Sequence, residues 1–206
     1  MSNVILHFEP GETVRQDVEI ENTSEQPLYI DVKPHVVSKP GTVDEVRTFI
    51  EDPMEAGLLV TPSKLVVPPH GRKLLRFVDL KPGHPDERIY RVAVTPVVGD
   101  IEAQTSGLKI LVGYEVLVLA QPQQPLVKLT GERDGKALFL RNEGNTNVLL
   151  REGRQCPAAD SDPADCHYLA TRRLYPGNEM RVELAIDSSV DYYLGIGTRS
   201  SVQSWP

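Results

Sequence analysis

The residues of this 206-residue chain best suited to chemistry are five histidines, two cysteines and one pair of adjacent carboxylates. The histidines are His7, His35, His70, His84 and His167. His70 and His84 sit in turn clusters, and His167 stands beside Cys166. None lies at a recognisable spacing from a nucleophile or a second metal ligand, so they read as solvated side chains rather than as bases. Asp86 and Glu87 could suggest acid–base work, yet consecutive residues of a strand face opposite ways. No phosphate-cradling glycine loop occurs. These grounds predict no catalysis, no cofactor and no small-molecule substrate.

Cys156 and Cys166 flank a polar loop that contains Pro157, Asp160, Ser161, Asp162, Pro163 and Asp165. Such a pair reads as one disulfide formed in an oxidising compartment. Closing a loop of about 11 residues would stabilise the chain by roughly 2–3 kcal/mol. Two rivals stand beside this reading. Cys156, Cys166 and His167 could hold a metal, although zinc usually asks for four ligands in short-spaced pairs. The thiols could also be free and buried. Met1-Ser2-Asn3 leads straight into an apolar strand, without the basic and hydrophobic regions of an export signal. The cysteine pair favours a chain whose signal has been removed.

Apolar residues make up 40 % and charged residues 25 % of the sequence, as in ordinary globular proteins. No stretch approaches the roughly 18 apolar residues that cross a bilayer. The net charge is −7, and the basic residues are scattered among acids, which argues against nucleic acid as a partner.

The elements that would position any site are strands. Apolar residues alternate at Val18 and Ile20, at Leu28, Ile30 and Val32, at Leu65 and Val67, at Leu75 and Phe77, and at Tyr90, Val92 and Val94. Between these runs lie turn clusters such as Pro68-Pro69-His70-Gly71 and Lys81-Pro82-Gly83-His84-Pro85. The 17 prolines fall mostly in such places. The acidic stretch from Val43 to Glu55 has weak periodicity; a helical turn and an edge strand are both open there, and it is left unassigned. At Ala120-Gln121-Pro122-Gln123-Gln124-Pro125 the pattern breaks, since prolines among glutamines neither extend a central strand nor build a core. It then restarts, with a hairpin signal at Asp134-Gly135. The expected class is all-β: two immunoglobulin-like sandwiches in tandem, over 1–121 and 126–206, with 122–125 as linker.

One run departs from a plain sandwich. Gly107 to Leu119 is about thirteen residues long, roughly twice a typical strand. Leu108, Ile110 and Val112 share one face of its first half, and its second half is apolar on both faces. A long apolar strand invites pairing with other chains unless charge or proline blunts it. Only Lys109 and Glu115 interrupt this one. Either it is an interior strand, or its exposure is the function.

From Leu58 to Pro122 the sequence resembles the PapD-like periplasmic chaperones of the chaperone–usher pilus pathway. The residues that carry the likeness are Leu59-Val60-Thr61-Pro62, the stretch from Pro69 to Phe77, and Asp86-Glu87-Arg88-Ile89-Tyr90-Arg91-Val92-Ala93-Val94. The long alternating strand and its proline-marked end follow at the family's distance. Asn22-Thr23-Ser24 before Pro27 is similar to an early turn of the family. The second half is matched more loosely, through the segment from Arg141 to Thr146 and Leu174-Tyr175-Pro176-Gly177.

The resemblance implies a boomerang-shaped periplasmic chaperone that completes unfinished pilus subunits by donor-strand complementation and delivers them to an outer-membrane usher. The donor positions would be Leu108, Ile110 and Val112. Burying each in a subunit groove would contribute roughly 1.5–3 kcal/mol. The same edge would be open to self-association. The resemblance also implies a structural ion pair between Arg76 and Glu87. It places Ile5 and Leu117 where the family anchors a client's terminal carboxylate with Arg and Lys, and Gln121 where it has a linker-end Arg. Neither Ile5 nor Leu117 can bind a carboxylate; Lys109, Arg15 or main-chain N–H groups would have to serve. The short connection from Gly99 to Gly107 resembles the group whose clients form rod-like pili. The alternative is a secreted or surface immunoglobulin-like structural or adhesive protein, such as a pilus subunit or tip component. A pilus subunit would show its own N-terminal donor extension and an early disulfide.

Overall fold

A computed structural model describes residues 1–97, 111–158, 161–197 and 199–206. The chain divides into two compact units, one of Met1–Ser38 and Glu45–Gln123, the other of Lys39–Asp44 and Gln124–Pro206. Each is an immunoglobulin-like sandwich of β-sheets, as the alternation predicts.

In the first unit the strands are β1 (Ile5–Phe8), β2 (Arg15–Glu21), β3 (Leu28–Ser38), β4 (Val46–Phe49), β5 (Leu58–Thr61), β6 (Lys64–Val67), β7 (Arg72–Asp79), β8 (Arg88–Val97) and β9 (Tyr114–Ala120). One sheet runs β1-β9-β8-β3-β4, with β6 also paired to β3; the other runs β2-β7-β5. Alternate side chains of both sheets meet between them: Val18, Val67, Leu75, Phe77, Val92, Val116 and Val118 are fully buried there. Fully burying each such side chain is worth about 1.5–3 kcal/mol.

The stretch left unassigned in the sequence holds β4 and a short helix, α1 (Pro53–Ala56). Asp52 caps the helix by accepting from the Met54 and Glu55 N–H groups, and Gly57 ends it at φ 82°. All four residues of β4 are exposed, so no alternation could announce them.

The second unit contains β10 (Leu129–Asp134), β11 (Ala137–Asn142), β12 (Val148–Gln155), β13 (His167–Leu169), β14 (Arg172–Leu174), β15 (Glu179–Glu183), β16 (Val190–Ile196) and β17 (Arg199–Trp205). Its sheets are β10-β11-β15 and β13-β12-β16-β17, with β14 also on β12. The hairpin between β10 and β11 is displaced by one residue from the Asp134-Gly135 reading. Asp134 pairs with Ala137, so Gly135 takes the first central position, at φ 55°. Leu138, Leu140, Leu150, Tyr192 and Trp205 form the core. A Cβ on Gly131 would overlap the Trp205 indole, so that strand position must be glycine.

Two turn motifs singled out in the sequence are structural. The Asn22 Nδ2 group donates to Gln26, Val67 and Pro68 carbonyls at 2.7–3.1 Å, and its Oδ1 accepts from the Ser24 N–H. In the second unit Asn142 donates to Thr146 and Leu174 carbonyls at 2.8 and 3.0 Å and accepts from the Gly144 N–H. Both asparagines are buried, and each ties the end of a strand to a neighbouring element.

Candidate functional site

The strand expected to be lent enters the described structure at its second half. Val116, Leu117, Val118, Leu119 and Ala120 of β9 are all buried, which explains why both faces of the run are apolar. On one flank β9 pairs antiparallel with β8, from Val94↔Tyr114 to Arg88↔Ala120. On the other flank β1 pairs in parallel, but only from Ile5↔Leu117 onward. Among the described residues, Tyr114, Glu115 and Val116 therefore have a strand on one side only. Such a half-paired segment offers N–H and C=O groups to an added strand. Val112 is 61 % exposed and Tyr114 48 %, in keeping with an unfilled edge. Leu108, Ile110 and Lys109 lie outside the described residues.

The two positions where the resemblance looks for cations are cross-strand partners, Ile5 on β1 and Leu117 on β9. Ile5 is exposed and Leu117 buried. Gln121 is buried too, and its backbone N–H donates to the Phe8 carbonyl at 2.9 Å.

The expected pairing of Arg76 with Glu87 needs correction. Arg76 on β7 grips Asp17, its register partner on β2, with Nε at 2.9 Å and Nη2 at 3.1 Å. A directly opposite pair on neighbouring strands suits a forked guanidinium better than Glu87, which lies outside the strands just before β8. Arg15 adds a 2.8 Å bond to the same carboxylate. Hydrogen bonds from Arg76 and then Arg15 hold the Asp17 carboxyl well below the usual carboxylate range. Arg15 is thereby engaged as well.

A buried ion pair of this unit joins Arg88 and Asp79 at 2.7 Å, with side chains 13 % and 7 % exposed. Arg88 also donates to the Lys81 carbonyl at 2.8 Å and to the Tyr90 hydroxyl at 3.2 Å. The Tyr90 hydroxyl in turn donates to the Ala56 carbonyl, and burial pushes its pKa up to about 12. This network fastens β8 to the helix and to the end of β7. Sequence reasoning missed it, although Arg88 and Tyr90 stand in the very motif that drew attention to Glu87.

Cys156 and Cys166 form the expected disulfide, closing a loop of sequence separation 10. Their sulfurs are thus committed, and no cluster of three metal-binding side chains occurs among the described residues.

Known proteins show the same two-unit plan. The chain superposes on the class 5 fimbriae chaperone CfaA with a TM-score of 0.70 and 22 % identity, covering 98 % of this chain and 96 % of that one. A chaperone–tip adhesin complex of CFA/I fimbriae biogenesis gives 0.65 and 23 %, over 98 % and 95 %. The CsuC–CsuE chaperone–tip adhesion complex of Acinetobacter baumannii gives 0.62 at 11 % identity, again over 98 % and 95 %. In sequence, 182 residues are 24 % identical to a CFA/I fimbrial subunit of Escherichia coli, covering 85 % of this chain and 75 % of that protein. A CS1 fimbrial subunit of Escherichia coli is 26 % identical over 169 residues, 78 % and 71 % of the two chains. No family model matches the sequence. The chain has the two-sandwich fold of the chaperone–usher pilus chaperones.

Proposed function

We propose that this chain is a periplasmic pilus-assembly chaperone that binds incomplete immunoglobulin-like subunits by strand donation and passes them to an outer-membrane usher. The observation that carries the reading is the likeness of both units together, over nearly the whole chain, to solved pilus chaperones, two of them bound to tip proteins. The half-paired start of β9 supports it, since a donor strand must leave one flank for its client. Leu108, Ile110 and Val112 fill successive pockets of the client, and main-chain pairing sets direction. The sandwich that donates ends near residue 121, and 122–125 joins it to the second one. The disulfide suits an oxidising periplasm.

A second reading has one observation in its favour: the two Escherichia coli relatives bear the name of fimbrial subunits. Co-expression with a pilus subunit encoded beside this chain, followed by size exclusion, separates the two. A chaperone elutes in a one-to-one complex with its client. If this chain instead forms polymers, or leaves the client to aggregate alone, the chaperone reading fails.

A further inference from the structure

In the second unit, the outer face of the sheet β13-β12-β16-β17 gathers arginines, although the chain as a whole carries −7. Arg151 on β12 pairs with Tyr193 on β16, which pairs with Val202 on β17. Tyr193 is exposed between the buried Tyr192 and Leu194, and Val202 is exposed too, so this row points to solvent. In the row to one side Arg154 pairs with Asp191; in the row to the other, Leu149 pairs with Arg173 of β14. Arg151 and Arg154 are three positions apart and would face opposite ways along a regular strand. A bulge between them turns both outward. The register shifts there, and Glu152 takes φ 49°, in the left-handed region that a glutamate seldom enters. Gly153 faces the core, where a Cβ would overlap the Tyr192 ring. The strand thus holds an unfavourable backbone conformation that sets a second arginine on this face.

The three arginines are not equally engaged. Arg173 donates to the Asn147 side chain. Arg154 Nε stands 3.7 Å from Asp191, a carboxylate that already accepts from the Ser204 hydroxyl at 2.6 Å. Arg151 makes no ion pair or hydrogen bond among the described residues. Its guanidinium lies across β16 beside Gly195, where a Cβ would come within 3.4 Å of Nε and 3.6 Å of Cζ. A flat guanidinium with free donors beside an exposed tyrosine and valine fits a carboxylate on an apolar stem. The rows follow β16 at Gly195, Tyr193 and Asp191, two residues apart. That step is about 6.6–6.8 Å, the same as between alternate side chains of an extended chain. We propose that this face docks an extended, glutamate-bearing segment of a protein partner. Its carboxylates stand at alternate positions, over Arg173, Arg151 and Arg154, and their methylene stems cover Tyr193 and Val202. The face belongs to the second unit, so it serves such a partner whether or not residues 108–112 are lent to a client.

The full chain, isotope-labelled for NMR, is titrated with a peptide of alternating glutamate and threonine, and separately with its glutamine counterpart. The glutamate peptide should shift the backbone amides of Arg151, Tyr193 and Gly195 saturably and leave those of β11 and β15 in place. The glutamine peptide should shift none of them. Arg151→Gln should weaken binding roughly tenfold without lowering the melting temperature, since that side chain has no partner to lose. Arg151→Lys, which keeps the charge but not the fork, should recover part of the loss. Arg181→Gln makes the same change in net charge on β15, in the other sheet, and should leave affinity unchanged. Absence of saturable shifts overturns the proposal. Equal losses in Arg151→Gln and Arg181→Gln overturn it too, because they would mean attraction to net charge alone. Vesicles of phosphatidylglycerol give the remaining arm. If the chain sediments with them in an Arg151-dependent way while the glutamate peptide stays silent, the face belongs to an anionic membrane and the acidic segment is refuted.

Discussion

Asp17 sits between two guanidinium groups, and its lowered pKa ties the first unit's stability to pH. A carboxyl depressed on folding contributes stability that is fully present above its unfolded pKa and is lost as pH falls through the folded value. Asp17→Asn removes that dependence. The unfolding free energy of the unmodified protein should therefore fall more steeply than the variant's below about pH 4, the unfolded carboxylate range. Parallel curves in urea titrations at pH 5, 4, 3 and 2 would contradict this. Asp79 is a different case, because its partner Arg88 is also buried. Asp79→Ala leaves an uncompensated internal charge and should cost about 3–5 kcal/mol of unfolding free energy. At this scale the sequence told residue types but not partners. The alternation in Asp86 to Val94 placed Tyr90, Val92 and Val94 in the core correctly. It could not reveal that Arg76 meets Asp17, since that pairing depends on strand register across 59 positions.

Strands with alternating apolar residues were legible because a half-buried sheet imposes a period of two. β2, β3, β7 and β8 follow it. β4 did not announce itself, having no buried position, and neither did the four-residue helix, which rests on caps rather than on an apolar face. β9 was legible for a further reason. Its five consecutive apolar residues, Val116 to Ala120, are all buried, as suits a strand covered on both faces. Leu117 accordingly belongs to the packing of the first unit and not to a carboxylate site. Leu117→Ala should lower stability by about 2–4 kcal/mol, measured by urea unfolding, while client dissociation changes less than threefold. Equal losses in both would place that side chain against the client.

At the scale of the whole molecule, the composition, the linker prolines and the restart of alternation sufficed for two sandwiches. The disulfide belongs to the second of them, on the loop between β12 and β13. Replacing both cysteines by serine should cost that unit roughly 2–3 kcal/mol, following loop-closure entropy, and should leave the first unit's unfolding transition in place. A calorimetric trace in which both transitions drop together would refute the assignment to one unit. The central claim is that residues 108–112 are lent to a client, and Ile110→Asp tests it most directly by setting a charge into an apolar pocket. Co-expressed with a pilus subunit, the variant should keep its own melting temperature and yield no one-to-one complex on size exclusion. Recovery of that complex at the normal yield would contradict strand donation.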